Sequence, residues 1–526
     1  MRLGVDFGTT RIVVSAVDRG NYPVVSFVAP TGEALEWFPA LAAVRDGELS
    51  FGWKAWRAQE DPAATVVRSL KRHLPESGPL TRVEIGGTAI AMIDLLTGLC
   101  SALRESIAGA SSVTPGADEP IQVMLGVPAN ANGNQRFLTV EAFRRAGFEV
   151  LGLLNEPSAA SIEYGHGVRE KGPRQRDLVL IYDLGGGTFD VSLVEMDENR
   201  HEVLASEGIP ALGGDDFDEI LAGMALAAAG IATAGLTQAE WFRLLEECRM
   251  KKEALHPNTR RITVDLDQVR EGWAPAGVPA ADFYAQCQPL VDETMHAVRD
   301  LIGGREPEIE AVYVAGGASE LPLVSRALRE RYGRRVRRSP YTRSATAIGL
   351  AIQADSQAGY LLRERFTRNF GVWREEDAGH TAVFDPLFLK GTPLPSAGED
   401  PVMVIRRYRA VHDIGHFRYL ECSHATADRR PAGEVMLWDE IRFPFDPALR
   451  DAGDLHGLEV HRMDWSDPPE IQEAYSVDSG GAVTVAISNL QAGYERTYRL
   501  GRWSAPAEPL VPARKKRVRR AAAPGN

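Results

Sequence analysis

The sequence predicts an α/β region of about 355 residues followed by an all-β sandwich. Three observations carry this. Up to about residue 355, strand-like apolar runs alternate with helical stretches, the pattern of an α/β architecture. From Asn369 to about Leu500 that pattern gives way to short alternating strands: Val483, Val485 and Ile487 alternate with Thr484, Ala486 and Ser488, and Tyr494, Arg496, Tyr498 and Leu500 with Glu495, Thr497 and Arg499. Asp478-Ser479-Gly480-Gly481 and the Asn489 to Gly493 stretch supply turns between such strands, as a sandwich needs.

The third observation is an internal echo. Gly4-Val5-Asp6-Phe7-Gly8-Thr9-Thr10 precedes the apolar run Ile12-Val13-Val14. At a distance of 177 residues, Ile181-Tyr182-Asp183-Leu184-Gly185-Gly186-Gly187-Thr188-Phe189-Asp190 precedes Val191-Ser192-Leu193-Val194. Both segments read as strand, Asp-x-Gly-x-Thr-like turn, strand. Two copies imply two similar lobes, each opening with a hairpin.

Composition bounds the rest. With 526 residues, 44% hydrophobic and 25% charged, the chain has the usual globular mix, which excludes a mostly disordered, collagen-like or coiled-coil chain. A net charge of −13 argues against general binding to nucleic acid or to an anionic membrane. Asp6 comes too early for a secretory apolar segment. The longest apolar stretch, Leu221 to Leu236, is Ala- and Gly-rich and shorter than the ~20 residues of a membrane span, so it reads as a buried helix. Cys100, Cys248, Cys287 and Cys422 form no CxxC pair and fit buried thiols in a reducing cytoplasm. After Trp503 the chain turns Ala/Pro-rich and ends in Arg514-Lys515-Lys516-Arg517-Val518-Arg519-Arg520, expected to be a disordered, solubilising tail.

The paired turns carry chemistry. Glycines let backbone N–H groups approach an anion, threonine hydroxyls add donors, and an aspartate at the end of the preceding strand can hold a divalent cation directly or through water. One such turn alone reads as a tight hairpin. Two facing each other would grip the β- and γ-phosphates of a nucleotide. Gly316-Gly317 after the apolar run Ala311 to Val314 permits a further close approach, to a sugar and α-phosphate. By themselves, Lys71 reads as a solvated helix-face lysine and Glu156, before Pro157, as a carboxylate at a strand-to-helix corner, ahead of any functional reading.

Taken together these segments resemble the DnaK-type heat-shock chaperone family (the heat shock protein 70 family). The matches are Val5-Asp6-Phe7-Gly8-Thr9-Thr10, Lys71-Arg72, Val127-Pro128-Ala129, Gln135-Arg136, Asn155-Glu156-Pro157-Ser158-Ala159-Ala160, Asp183 to Asp190, Leu212-Gly213-Gly214-Asp215-Asp216-Phe217-Asp218 and Gly316-Gly317. Phe388-Leu389-Lys390-Gly391-Thr392-Pro393-Leu394-Pro395 extends the likeness, more weakly, into the β region. The resemblance implies an actin-like ATPase domain of two ribonuclease-H-like lobes over residues 1–355. It further implies a linker at 356–368, a peptide-binding β-sandwich at 369–502 and a basic tail at 503–526.

Roles follow from the same resemblance. Asp6 and Asp183 would position Mg²⁺ through its waters. Gly8, Thr9, Thr10, Gly185, Gly186, Gly187 and Thr188 would cradle the phosphates of ATP. Lys71 would place the attacking water and stabilise the γ-phosphoryl charge, with Glu156, Asp183 and Thr188 completing the catalytic set. Asp190 would help hold K⁺, while Arg249, Lys252, Gly316 and Gly317 would border the nucleoside. Pro128 and Arg136 would couple nucleotide state to the β domain. Unfolded or extended polypeptides are the implied clients, with a J-domain co-chaperone and a nucleotide exchange factor as implied partners in the cytoplasm. Such chemistry relies on positioning and charge neutralisation.

The sequence departs from the family in places. Glu253 and Glu320 stand where arginines often sandwich the base, His256 replaces a serine, and Arg343 stands where an acid is common. The linker Gly359-Tyr360-Leu361-Leu362-Arg363-Glu364-Arg365 keeps a short apolar core and is expected to lack the family's acidic flank. About 24 residues follow the last strand, so the helical lid of the family is not expected here; a lidless groove would exchange its ligand quickly. Arg406 to Arg409 and Trp438 to Phe445 read as insertions that reshape the groove or form a partner surface. His412 and His416, in a strand-rich stretch, are not expected to bind metal, and Trp37, Trp53 and Trp56 are expected at a lobe core or interface. The competing reading is a nucleotide-gated binding module for a dedicated partner, with little or no hydrolysis. A small-molecule kinase is disfavoured, since the β domain has no place in one.

Overall fold

The computed structural model describes residues 1–500 apart from 62, 79–80, 117, 170–176, 377–380, 396–398, 427, 429 and 479–480. The basic tail therefore lies outside the described residues, as do Ser479 and Gly480 of one expected turn.

The first α/β unit is built on a five-stranded sheet: β1 (Arg2–Phe7), β2 (Arg11–Ala16), β3 (Phe38–Pro39), β4 (Gln122–Val127) and β5 (Glu149–Asn155), in the order β5-β4-β1-β2-β3. The second carries a six-stranded sheet: β6 (Asp177–Leu184), β7 (Phe189–Asp197), β8 (Arg200–Ile209), β9 (Ile309–Ala315), β10 (Val336–Arg338) and β11 (Leu361–Arg363), in the order β10-β9-β6-β7-β8-β11. The echo in the sequence is an echo in topology. The β1–β2 and β6–β7 pairs are antiparallel hairpins, and each first strand lies parallel to a later one, β4 and β9 respectively. Each sheet has its own apolar core, one around Leu3, Val5 and Leu125, the other around Leu180, Val191 and Val312. Strands buried on both faces read as continuous apolar runs, which is why Val179 to Tyr182 was legible as a strand.

Helices cover the sheets: α1 (Met92–Gly109), α2 (Gly133–Arg145), α3 (Glu156–Arg169), α4 (Gly214–Ala229), α5 (Gln238–Glu253), α6 (Ala280–Ile302), α7 (Pro322–Tyr332) and α8 (Ala345–Ala354). The apolar run from Leu221 is a buried helix only as far as Ala229; Gly230, at φ +68°, caps it, and the chain turns before Leu236. Helices α3 and α8 meet at Gly349, where a Cβ would stand 1.8 Å from the Ala159 carbonyl oxygen. Gly349→Ala is therefore expected to cost about 1–3 kcal/mol, read as a lower midpoint in urea unfolding; an unchanged midpoint would show that the two helices are not packed this way.

Two four-stranded antiparallel sheets form the C-terminal part: β12 (Asn369–Glu376), β13 (Thr381–Phe388), β14 (Val402–Arg409), β15 (Ile414–Ala425), β16 (Pro431–Pro444), β17 (Glu470–Val477), β18 (Val483–Asn489) and β19 (Tyr494–Arg499). Their orders are β13-β12-β15-β16 and β14-β17-β18-β19, and one core draws Phe370, Phe417 and Phe443 from the first sheet and Tyr475, Val485 and Ile487 from the second. This is the expected sandwich. The stretch from Arg406 lies within β14 and that from Trp438 within β16. His412 and His416 approach carboxylates, Glu375 at 3.7 Å and Glu440 at 2.6 Å.

Candidate functional site

The two hairpin turns face each other. A Cβ on Gly187 would stand 2.5 Å from the Thr9 hydroxyl, and one on Gly186 2.9 Å from that of Thr10. Only glycine lets the second turn come so close to the first. Between and beyond them runs a cleft of about 360 Å³, within the range of small-ligand sites. One end is lined by Asp6, Gly8, Thr9, Thr10, Lys71, Glu156, Asp183, Gly185, Gly186 and Thr188, the other by Arg249, Lys252, Glu253, Gly316, Gly317 and Arg343. Residues up to 340 positions apart in the sequence converge here because both units contribute a strand end to it.

Two of the expected residues stand behind the wall. Gly187 packs on Thr9, and Asp190 is buried and accepts the Ala129 N–H at 2.8 Å. Gly316, at φ +81°, is required as glycine: a Cβ would stand 2.3 Å from the Leu184 carbonyl oxygen and 2.4 Å from Asp183 Oδ1. Lys252 donates to the Gly214 carbonyl at 2.5 Å and approaches Asp218 at 2.6 Å, so it holds the start of α4.

At the turn end, Lys71 Nζ donates to Glu156 Oε1 at 2.5 Å, with both side chains buried. Lys71 lies on a 3-10 helix, Leu70–Glu76, and Glu156 opens α3 directly after β5. Burial alone would lower the Lys71 pKa, but Glu156 and Asp6 outweigh it and raise it, so the ammonium stays charged. Burial, then Glu156, pushes Asp6 up to about 7. Burial and the same neighbour push Asp190 to about 7 as well, and Asp183 rises well above the usual carboxylate range.

Four carboxyl groups thus crowd one ammonium, a donor set that a divalent cation would neutralise. Among the described residues, no group of three or more His, Cys, Asp or Glu side chains is arranged to chelate a metal directly. Asp6 and Asp183 present carboxylate oxygens of the kind a hydrated magnesium ion takes.

At the other end, the reversed charges prove to be one lattice. Arg343 donates to Glu320 through Nε at 3.0 Å and Nη2 at 2.7 Å, and to Glu253 through Nη1 at 3.0 Å. Arg11 donates to Glu253 at 2.8 Å and lies over the Trp37 ring at 4.9 Å. Arg249 is within 3.7 Å of the same carboxylate. Burial would raise Glu253, but Arg11 and Arg249 hold it down at about 2. Read singly, Glu253 and Glu320 look like losses; their complement is Arg343, which the sequence shows but does not pair.

The linker also differs from expectation. Strand β11 pairs in parallel with β8, Arg200 opposite Leu361. Next to it, half-buried Glu364 accepts the Asn155 N–H at 3.1 Å, while Arg136 donates to Asn155 Oδ1 at 2.7 Å. Burial raises the Glu364 pKa and Arg136 opposes the rise. Glu364, between Arg363 and Arg365, is the linker carboxylate that reaches Asn155. Sequence reasoning also missed Glu421, which accepts the Gly133 N–H at the start of α2 at 2.7 Å. Trp438, from a stretch expected to shape the groove or a partner surface, has its indole against Gly133 so closely that a Cβ there would stand 1.7 Å from Nε1. Pro128 is confined to the turn before α2, where its carbonyl accepts the Ala131 N–H.

Comparisons with known proteins agree with this geometry. The family model described as "Hsp70 protein" matches residues 115–365. The chain is 35% identical over 379 residues to the protein named "Chaperone protein HscA homolog" of Methylibium petroleiphilum, covering 68% of this chain and 58% of that one. It is 32% identical over 378 residues to the like-named protein of Pseudomonas putida, and 32% identical over 387 residues to "Chaperone protein HscA" of Salmonella newport, with the same coverage. It thus spans 58% of the length of these curated relatives. No helix among the described residues is long and apolar enough to cross a membrane. With matched sequence, paired hairpins and a Lys–Glu pair at their meeting point, the chain belongs to the Hsp70 family.

Proposed function

We propose that this chain is an ATP-dependent chaperone, in which binding and hydrolysis of ATP between two actin-like, ribonuclease-H-like lobes regulate how the β-sandwich holds unfolded or extended polypeptide. The observation that carries this is the facing pair of turns with the Lys71–Glu156 pair set between them. The turn amides and the Thr9, Thr10 and Thr188 hydroxyls bind phosphate oxygens, Lys71 orients the attacking water and neutralises γ-phosphoryl charge, and Glu156 holds Lys71. Asp6 and Asp183 would hold Mg²⁺ through its waters, and the ion would supply charge neutralisation at the phosphates; Asp190 would serve K⁺. Arg249 and Lys252, with Gly316 and Gly317, flank the nucleoside.

In this reading the nucleotide domain is 1–355, the linker 356–368, the peptide domain 369–502 and the tail 503–526. Pro128 and Arg136 relay between domains. Arg136 and Glu364 support that role, since both meet Asn155, the neighbour of Glu156. A J-domain co-chaperone and an exchange factor are the proposed helpers, in the cytoplasm. The test is ATP turnover with and without an unfolded peptide. Peptide is expected to stimulate turnover several-fold, and Glu364→Gln to remove the stimulation while leaving the basal rate within about threefold, because it removes charge at the linker and not at the phosphates. A flat, near-zero rate in the unaltered chain would sink the hydrolytic reading.

One observation favours the second reading, a gated module for a dedicated partner. Part of the sandwich interior is ionic: Arg374 donates to Glu473 at 3.0 and 2.8 Å and to Asp385 at 2.7 Å, and Arg406 donates to Asp385 at 2.9 Å. Such a satisfied network favours one fixed shape over adaptable apolar contacts.

A further inference from the structure

The segment that carries Lys71 is bolted to the second α/β unit by more than Lys71 itself. Arg68, from the first unit, donates through Nη1 to Glu246 Oε1 at 3.0 Å and through Nη2 to Asp218 Oδ2 at 3.1 Å and to Asp215 Oδ1. All three carboxylates belong to the second unit, Asp215 and Asp218 near the start of α4 and Glu246 on α5. Asp218 and Glu246 have further cations, Lys252 and Arg249, whereas the Asp215 charge rests on Arg68. The planar guanidinium fork spreads its donors over separate carboxylates in a fixed geometry that the compact ammonium of lysine does not reproduce.

Ser69 lies between Arg68 and the 3-10 helix with φ +60°, a left-handed conformation that costs a residue with a Cβ about 1 kcal/mol or more. Its hydroxyl donates to Asp215 Oδ2 at 2.5 Å. The backbone of Asp215 continues the connection: its N–H donates to the Gly186 carbonyl at 2.8 Å, and that of Gly214 to the Gly185 carbonyl at 2.9 Å. One residue therefore holds both the strained position two places before Lys71 and the second phosphate turn.

We propose that Arg68 and Asp215 are positioning residues, which set the Lys71 ammonium against the second turn only while the two units are closed. The proposal rests on reading the cleft as a nucleoside triphosphate site. When the units part, the Arg68 fork and the Ser69 contact break together, the strained Ser69 backbone relaxes, and Lys71 leaves its place. Hydrolysis is thereby confined to the closed cleft, and nucleotide release requires the same contacts to break.

The test uses the full chain with Arg68→Lys, the isosteric Asp215→Asn, and Ser69→Gly, which suits that φ and removes the hydroxymethyl group that reaches Asp215. Readouts are single-turnover hydrolysis, release of a fluorescent ADP analogue by stopped flow, and the thermal midpoint. Arg68→Lys and Asp215→Asn are expected to slow hydrolysis by about 10- to 100-fold, the scale of an ångström-level misplacement. They should also speed analogue release by about fivefold or more, with midpoints within a few degrees of the unaltered chain. Ser69→Gly should shift both rates in the same directions by a smaller factor. Lowered midpoints with unchanged rates of hydrolysis and release would overturn the proposal and leave these contacts purely structural. An unaltered chain that binds the analogue but hydrolyses nothing defeats the hydrolytic reading alone, and the release rates then decide the proposal. An unaltered chain that binds no nucleotide defeats both.

Discussion

Replacing Lys71 by alanine is expected to slow single-turnover ATP hydrolysis by about 10²- to 10³-fold, the loss typical of removing one preorganised charge donor from a developing anion. The ammonium is buried, held by Glu156 at 2.5 Å, and kept charged by the carboxyl groups around it. It therefore needs no reorganisation when charge shifts on the γ-phosphoryl group. Binding should suffer far less, within about tenfold, because the turn amides and threonine hydroxyls remain. Equilibrium binding of ATP together with a single-turnover time course separates the two effects. Hydrolysis within threefold of the unaltered chain would remove Lys71 from the mechanism.

The second large effect is on stability, with a sign that exposes the tension in the site. The Asp6 carboxyl, near 3.8 when unfolded, rises to about 7 in the folded chain because burial and Glu156 disfavour its charge. A raised native value means that the folded state holds the proton more tightly. The contribution is complete below about pH 4 and is lost as pH climbs towards 7 and beyond. At 1.36 kcal/mol per unit, that loss is up to about 4 kcal/mol for the nucleotide-free chain. Asp6→Asn removes the charge, so its thermal midpoint should exceed that of the unaltered chain by several degrees at pH 8. The gap should narrow towards pH 5. Asp183→Asn should move in the same direction, for the same cause. With Mg²⁺ and ATP the order should reverse, since the unaltered chain gains binding free energy that the variants forgo. Variants less stable than the parent at pH 8 without ligand would contradict this account.

What was legible in the sequence follows from which constraints are local. The two turns could be read because glycine and threonine are demanded at fixed positions by backbone approach, and the structure shows the demand as clearances at Gly186 and Gly187. Strands buried on both faces, such as Asp177–Leu184, announced themselves as apolar runs. Lys71 and Glu156 had no local signature; a lysine on a short helix and a glutamate before proline acquire meaning only when the family's order of motifs places them together. The choice of long-range partners lay further out of reach. Arg68 resembles any surface arginine until α4 and α5 present three carboxylates to it. Glu364 was masked by its arginine neighbours, and the reversed charges at Glu253, Glu320 and Arg343 looked like separate losses because pairing is decided by the fold, not by spacing.

The indole of Trp438 lies edge-on to Phe370 at 4.4 Å and against Gly133 of the other domain. It thus sits across the seam between the α/β part and the β-sandwich, half-buried. Parting of the halves would hydrate that ring and shift its emission to the red, a signal that a Trp438→Phe chain would lack and that the difference between the two spectra isolates from the other eight tryptophans.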